Sequence, residues 1–83
     1  MDNNKLGFVV ASKYRKYIVK ILLESEKTPK ELSELSDTSL PHISGLLRDL
    51  NDKNIIKCQN PDMRKGRLYT LTKTGRKIAE KIQ

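Results

Sequence analysis

The chain has 83 residues, with 17 Lys and Arg against ten Asp and Glu, for a formal net charge of +7. That length gives one domain, near the lower end of what folds alone, and leaves little room for a large active-site cleft. One Cys and one His exclude a disulfide scaffold and supply too few ligands for a Cys/His zinc site, so no metal and no cofactor is expected.

The charge is unevenly placed. Residues 1–26 carry +2, residues 27–52 carry −2, and residues 53–83 carry +7. A domain this basic suits a polyanionic partner. No apolar run is long enough to span a membrane, and the first residues, MDNNKLGFVV, lack the apolar core and cleavage site of a signal peptide. A reducing, cytoplasmic setting is the expectation. Residues 1–7 are expected to be a flexible N-terminus, and residues 8–83 a single domain.

From Val9 to Glu24 the apolar positions Val10, Tyr14, Tyr17, Ile18, Ile21 and Leu22 recur at helical spacing, with Lys13, Arg15, Lys16 and Lys20 among them. This predicts a first amphipathic helix. Thr28-Pro29-Lys30-Glu31 is a helix start. Thr28 and Glu31 are placed for a capping box, and Pro29 occupies the first helical position, where no amide is needed. The short second helix carries Leu32 and Leu35 as its expected buried pair and stops near Ser36. Asp37-Thr38-Ser39 makes a tight connection. Thr38 or Ser39 caps a third helix, whose expected core stripe is Leu40, Ile43, Leu46, Leu47 and Leu50.

The period then changes. Ile55 to Gln59 is a short β-type run, Arg67 to Leu71 alternates as a strand does, and Asn60 to Gly66 is rich in turn residues. Together they predict a β-hairpin over about 55–71. Thr72 or Thr74 caps a last helix with Ile78, Ala79 and Ile82 on its face; Gly75 near its start weakens it slightly. The fold class is therefore α+β, mainly α: a three-helix core, a two-stranded hairpin and a C-terminal helix. A short helix, a three-residue turn and a longer helix form a helix-turn-helix. The hairpin directly after it is in the position of a wing.

The stretch LSELSDTSLPHISGLLRDLNDKNIIKCQNPDMRKGRLYTLTKTGRKIAE (residues 32–80) resembles the small archaeal winged helix-turn-helix transcription regulators of the MarR/ArsR-like group. The upstream SKYRKYIVKILLES resembles the first helix of that group. The most telling piece is GRLYTLTKTGRKIAE, residues 66–80, where strand, Leu-Thr cap and last helix follow in the family order. The resemblance implies sequence-specific binding of double-stranded DNA by a homodimer. The long extra helices of full MarR dimers are absent, and with them the usual effector pocket, so no small-molecule effector is indicated.

Three groups of residues are candidates for function. The third helix, about 39–53, is the candidate recognition helix, with Ser39, Pro41, His42, Ser44, Gly45 and Arg48 toward solvent. The N-terminal half of such a helix enters the major groove. Arg48 can fork onto guanine, Ser44 can bond a base edge or phosphate, and His42 can donate or accept, or simply be solvated. Gly45 costs about 1 kcal/mol against Ala, so either close approach to DNA or close packing on a neighbouring helix requires it. The wing offers Arg64, Lys65 and Arg67 around Gly66, suited to the backbone or the minor groove. Thr28, Lys30 and Lys73, near two helix starts, are possible phosphate contacts. Cys58 is expected to face the packed side of the hairpin, with a redox role as the alternative. Enzyme signatures are missing, so catalysis is not expected. The alternative to DNA binding is a winged helix used to hold protein partners in a larger assembly.

Overall fold

The computed structural model describes residues 3–82. The elements run α1 (Asn3–Val10), α2 (Lys13–Glu24), α3 (Pro29–Ser36), α4 (Leu40–Asp52), β1 (Ile56–Cys58), β2 (Tyr69–Leu71) and α5 (Lys73–Ile82). This is the winged helix-turn-helix order that the sequence predicts, with one helix more at its start.

The extra helix corrects the first part of the reading. A flexible stretch over 1–7 and a helix from Val9 were expected; instead residues 3–10 are helical, and the chain breaks at Ala11 and Ser12. Residues 1 and 2 lie outside the described residues. The cause of the break is a cap. Ser12 has extended backbone (φ −133°, ψ 126°), and its hydroxyl accepts from the Arg15 amide at 3.3 Å, so α2 starts afresh. α1 packs on α2. Arg15 Nη1 donates to the Phe8 carbonyl at 2.8 Å, and the guanidinium lies 3.8 Å from the centre of the Phe8 ring.

α3 begins with the predicted capping box and Pro29 in its first turn. It ends at Asp37, which takes the left-handed conformation (φ 53°, ψ 44°). The amide of Thr38 reaches back to the Ser33 carbonyl at 3.0 Å, and the Ser33 hydroxyl donates to the Thr38 carbonyl. These bonds fix the turn between the two helices of the helix-turn-helix. Ser39 then caps α4, accepting from the His42 amide at 3.3 Å.

One hydrophobic cluster joins the elements. It takes Ile18, Val19 and Leu22 from α2, Leu32 from α3, and Ile43, Leu46, Leu47 and Leu50 from α4. Ile55, Ile56 and Leu71 add the hairpin, and Ile78 and Ala79 add α5. Burying one Leu or Ile contributes about 1.5–3 kcal/mol relative to exposure. Four such residues outweigh any single surface contact, so they set the rotation of α4 about its axis.

Four residues expected on packed faces are exposed: Val10 and Tyr17 from the first helical stretch, and the pair Leu35 and Leu40. Leu35 is 51% exposed and Leu40 is 47% exposed. Each sits at a helix end beyond the reach of the packed body: Leu35 in the last turn of α3 and Leu40 at the first position of α4. Tyr17 of α2 stands beside Leu35, and its hydroxyl donates to the Leu35 carbonyl at 2.9 Å.

The hairpin is antiparallel, with Ile56 opposite Leu71, Lys57 opposite Thr70 and Cys58 opposite Tyr69. Lys27 adds a single bridge on the other side of Tyr69, with paired bonds of 3.1 and 2.9 Å. This bridge ties the segment before α3 to the hairpin. Among the described residues no helix is long and apolar enough to cross a membrane.

Candidate nucleic-acid interface

With Ile43, Leu46, Leu47 and Leu50 turned inward, the other face of α4 is fixed toward solvent. Ser39, Pro41, His42, Ser44 and Arg48 are exposed there and Gly45 is half-buried, as the helical spacing predicts. Leu40, expected inside, extends this outward surface at its start.

The structure adds detail at two positions. The His42 ring meets the Tyr14 ring of α2 edge to face, with centroids 5.0 Å apart and planes at 69°. His42 is therefore exposed to solvent with one edge of its ring against Tyr14. At Gly45 an added Cβ would meet nothing within 4 Å. Packing on a neighbouring helix within the chain does not require this glycine. The position is open on this side of α4.

The wing follows α4 directly, and β1 packs against α4. Gly66 takes the left-handed conformation (φ 68°), which glycine adopts at no steric cost. Arg64 and Lys65 are exposed just before it. Arg67 is also exposed, but its side chain turns back on the loop. Nε donates to the Met63 carbonyl at 2.7 Å, and Nη2 donates to the Pro61 carbonyl at 3.3 Å. Sequence reasoning missed Asn60. Its side chain accepts from the Leu68 amide at 2.7 Å and donates to the Gly66 carbonyl at 3.1 Å. The signal was available: Asn before Pro favours a turn with side-chain bonds to nearby backbone.

The phosphate candidates divide. Glu31 Oε1 accepts from the Thr28 amide at 2.8 Å, and the Thr28 hydroxyl accepts from the Glu31 amide at 3.1 Å. The bond from the Thr28 backbone holds the Glu31 carboxyl below its ordinary range, with the Thr28 side chain and Lys27 acting the same way. A carboxylate thus already occupies the start of α3, which disfavours a phosphate at Thr28. Lys30 and Lys73 are exposed in the first turns of α3 and α5. Cys58 is half-buried, with its thiol 3.5 Å from Asn60 Oδ1.

No family model and no curated protein matches the sequence. Solved structures do match. ZitR of Lactococcus lactis superposes with a TM-score of 0.77 at 19% identity, covering 86% of this chain and 49% of its own. The chain thus spans about half the length of ZitR, and likewise 53% of the adhesin competence repressor AdcR of Streptococcus pyogenes, at 14% identity, 84% coverage and a TM-score of 0.77. The transcriptional repressor BigR of Xylella fastidiosa gives 0.77 at 20% identity, covering 93% of this chain and 75% of BigR.

The fold is a winged helix-turn-helix.

At these identities the likeness is one of fold. The sources are bacterial and lend no support to the archaeal part of the resemblance. In winged-helix terms, α4 is the second helix of the helix-turn-helix and the Asn60–Leu68 loop is the wing.

Proposed function

We propose that this chain is a sequence-specific double-stranded DNA-binding transcription regulator. The outward start of α4 enters the major groove, where Arg48, Ser44 and His42 meet base edges. The wing lies on the backbone or in the minor groove through Arg64 and Lys65. One observation carries the reading. The N-terminal half of α4 exposes Ser39, His42 and Ser44, and the hairpin that follows α4 carries Arg64 and Lys65 exposed in its loop. The +7 charge supports it, as do the repressors AdcR and BigR among the folds it matches.

The chain acts as a homodimer in this reading, because one winged helix covers too few base pairs for a long operator. Sedimentation showing a monomer at high protein concentration overturns that part alone.

The test is anisotropy of a labelled mixed-sequence duplex, titrated with the full chain at several salt concentrations. A log–log slope of about −4 to −8 is expected from several phosphate contacts. Selection of a preferred site from random DNA completes it. No binding at low salt overturns the reading. A second reading, docking of a protein partner, is favoured by the exposed Leu35 and Tyr17, which line shallow grooves between α2 and α3. It gains if DNA binding fails.

A further inference from the structure

The loop joining β1 to β2 is held by two of its own side chains. Asn60, at one end, grips the other end twice: Oδ1 accepts from the Leu68 amide at 2.7 Å, and Nδ2 donates to the Gly66 carbonyl at 3.1 Å. Arg67, at the far end, reaches back to the near one, with Nε on the Met63 carbonyl at 2.7 Å and Nη2 on the Pro61 carbonyl at 3.3 Å. A turn closes between them, the Met63 amide donating to the Asn60 carbonyl at 3.0 Å. The ladder continues to the loop's edge with the Gln59 amide on the Leu68 carbonyl at 2.8 Å. Arg64 and Lys65 lie between the gripped points and stay exposed.

The chemistry of each grip is specific. Asn60 meets one backbone donor and one backbone acceptor with the two ends of its side-chain amide, a carbonyl oxygen and an NH2 group. Arg67 meets two backbone carbonyls with a planar fork. A lysine ammonium lacks that fixed geometry.

We propose that Asn60 and Arg67 are positioning residues that preset the shape of the wing, and that Arg64 and Lys65 alone make its contacts with phosphate. The inference rests on the DNA-binding reading above and departs from the sequence-based grouping of Arg67 with the contact residues. A loop already ordered in the free protein loses less conformational freedom on docking. Its two cations are then held where the fold puts them.

The test uses the full chain and four variants: Arg64→Ala, Lys65→Ala, Arg67→Lys and Asn60→Ala. Duplex affinity is measured across salt concentrations. Arg64→Ala and Lys65→Ala should each make the log–log slope shallower by about one. Arg67→Lys keeps the charge and Asn60→Ala never had one. Both should weaken binding by about 3- to 10-fold, the worth of one or two hydrogen bonds, with the slope unchanged. Thermal unfolding should match the parent chain, since the loop lies outside the core. Wild-type affinity in Arg67→Lys overturns the proposal, because a simple phosphate contact would tolerate lysine. So does wild-type affinity in Asn60→Ala.

A second measurement needs no DNA. Trypsin cleavage after Arg64 and Lys65 is timed by mass spectrometry on the free chain. Loosening the grip should speed it by about the same 3- to 10-fold in Arg67→Lys and Asn60→Ala. Equal rates in parent and variants overturn the preset wing whatever the DNA result. If the parent chain binds no duplex, the functional reading fails, and the trypsin rates still decide the wing's order.

Discussion

A Cβ added to Gly75 would lie 2.0 Å from the carbonyl oxygen of Ile55. The same oxygen accepts from the Thr72 amide at 3.0 Å and from the Thr72 hydroxyl at 3.1 Å. The first turn of α5 therefore rests directly on the backbone that leaves α4. Helix propensity alone makes Gly75→Ala stabilising by about 1 kcal/mol. The contact reverses the sign, since backbone has to move. A net loss of about 2–3 kcal/mol is expected. Urea unfolding checks it: an unchanged or higher midpoint would show that the contact yields cheaply.

The capping box gives a dependence on pH. Bonds from Thr28 hold the Glu31 carboxyl below its ordinary range. A depressed carboxyl favours the folded state above its unfolded value, about 4.3. That contribution fades as the pH falls through the lower, folded value. Glu31→Gln removes the titration and keeps an acceptor for the Thr28 amide. Parent and variant should therefore differ in thermal midpoint at neutral pH, the parent higher, and converge in strong acid. A constant gap down to pH 2 would place the effect elsewhere.

The sequence spoke clearly where a local rule acts within a few residues. Thr28 with Glu31, Ser39 ahead of Pro41, and the period change after Asn54 each mark a boundary, and each boundary is there. It misled where packing decides. Leu35 follows Leu32 by three residues and should share its face, yet the eight-residue α3 ends at the rim and leaves it outside. The break at Ala11 was hidden because Val9, Val10 and Ala11 continue the apolar run across it. The Lys27–Tyr69 bridge joins two positions with no periodic signal at all. In the candidate interface, exposure along α4 followed from its core stripe. The grip of Arg67 on its own loop did not, because a guanidinium three residues from another cation reads as charge until its partners are seen.

Arg48 and Arg64 should separate recognition from attraction. Arg48 is exposed on the outward face of α4 and Arg64 on the wing. Arg48→Ala should lose about 1–3 kcal/mol at one base pair and relax the preference there. Arg64→Ala should weaken all sequences alike. Selection from random duplexes reads both. If Arg48→Ala returns the parent motif unchanged, Arg48 does not read bases.

Gly45 offers the sharpest separation of stability from binding. The site is open, with nothing within 4 Å of an added Cβ, so the clash that governs Gly75 is absent. Gly45 lies inside the 13-residue α4, where alanine lowers the conformational entropy of the unfolded chain. Gly45→Ala should therefore stabilise the fold by about 0.5–1 kcal/mol. A nucleic-acid backbone brought against this face would meet the new methyl group, and affinity should fall while stability rises. Urea midpoints and duplex titrations on the same preparation measure both. A variant that is more stable and binds as tightly as the parent would move the DNA off this part of α4, leaving the glycine without a role in docking.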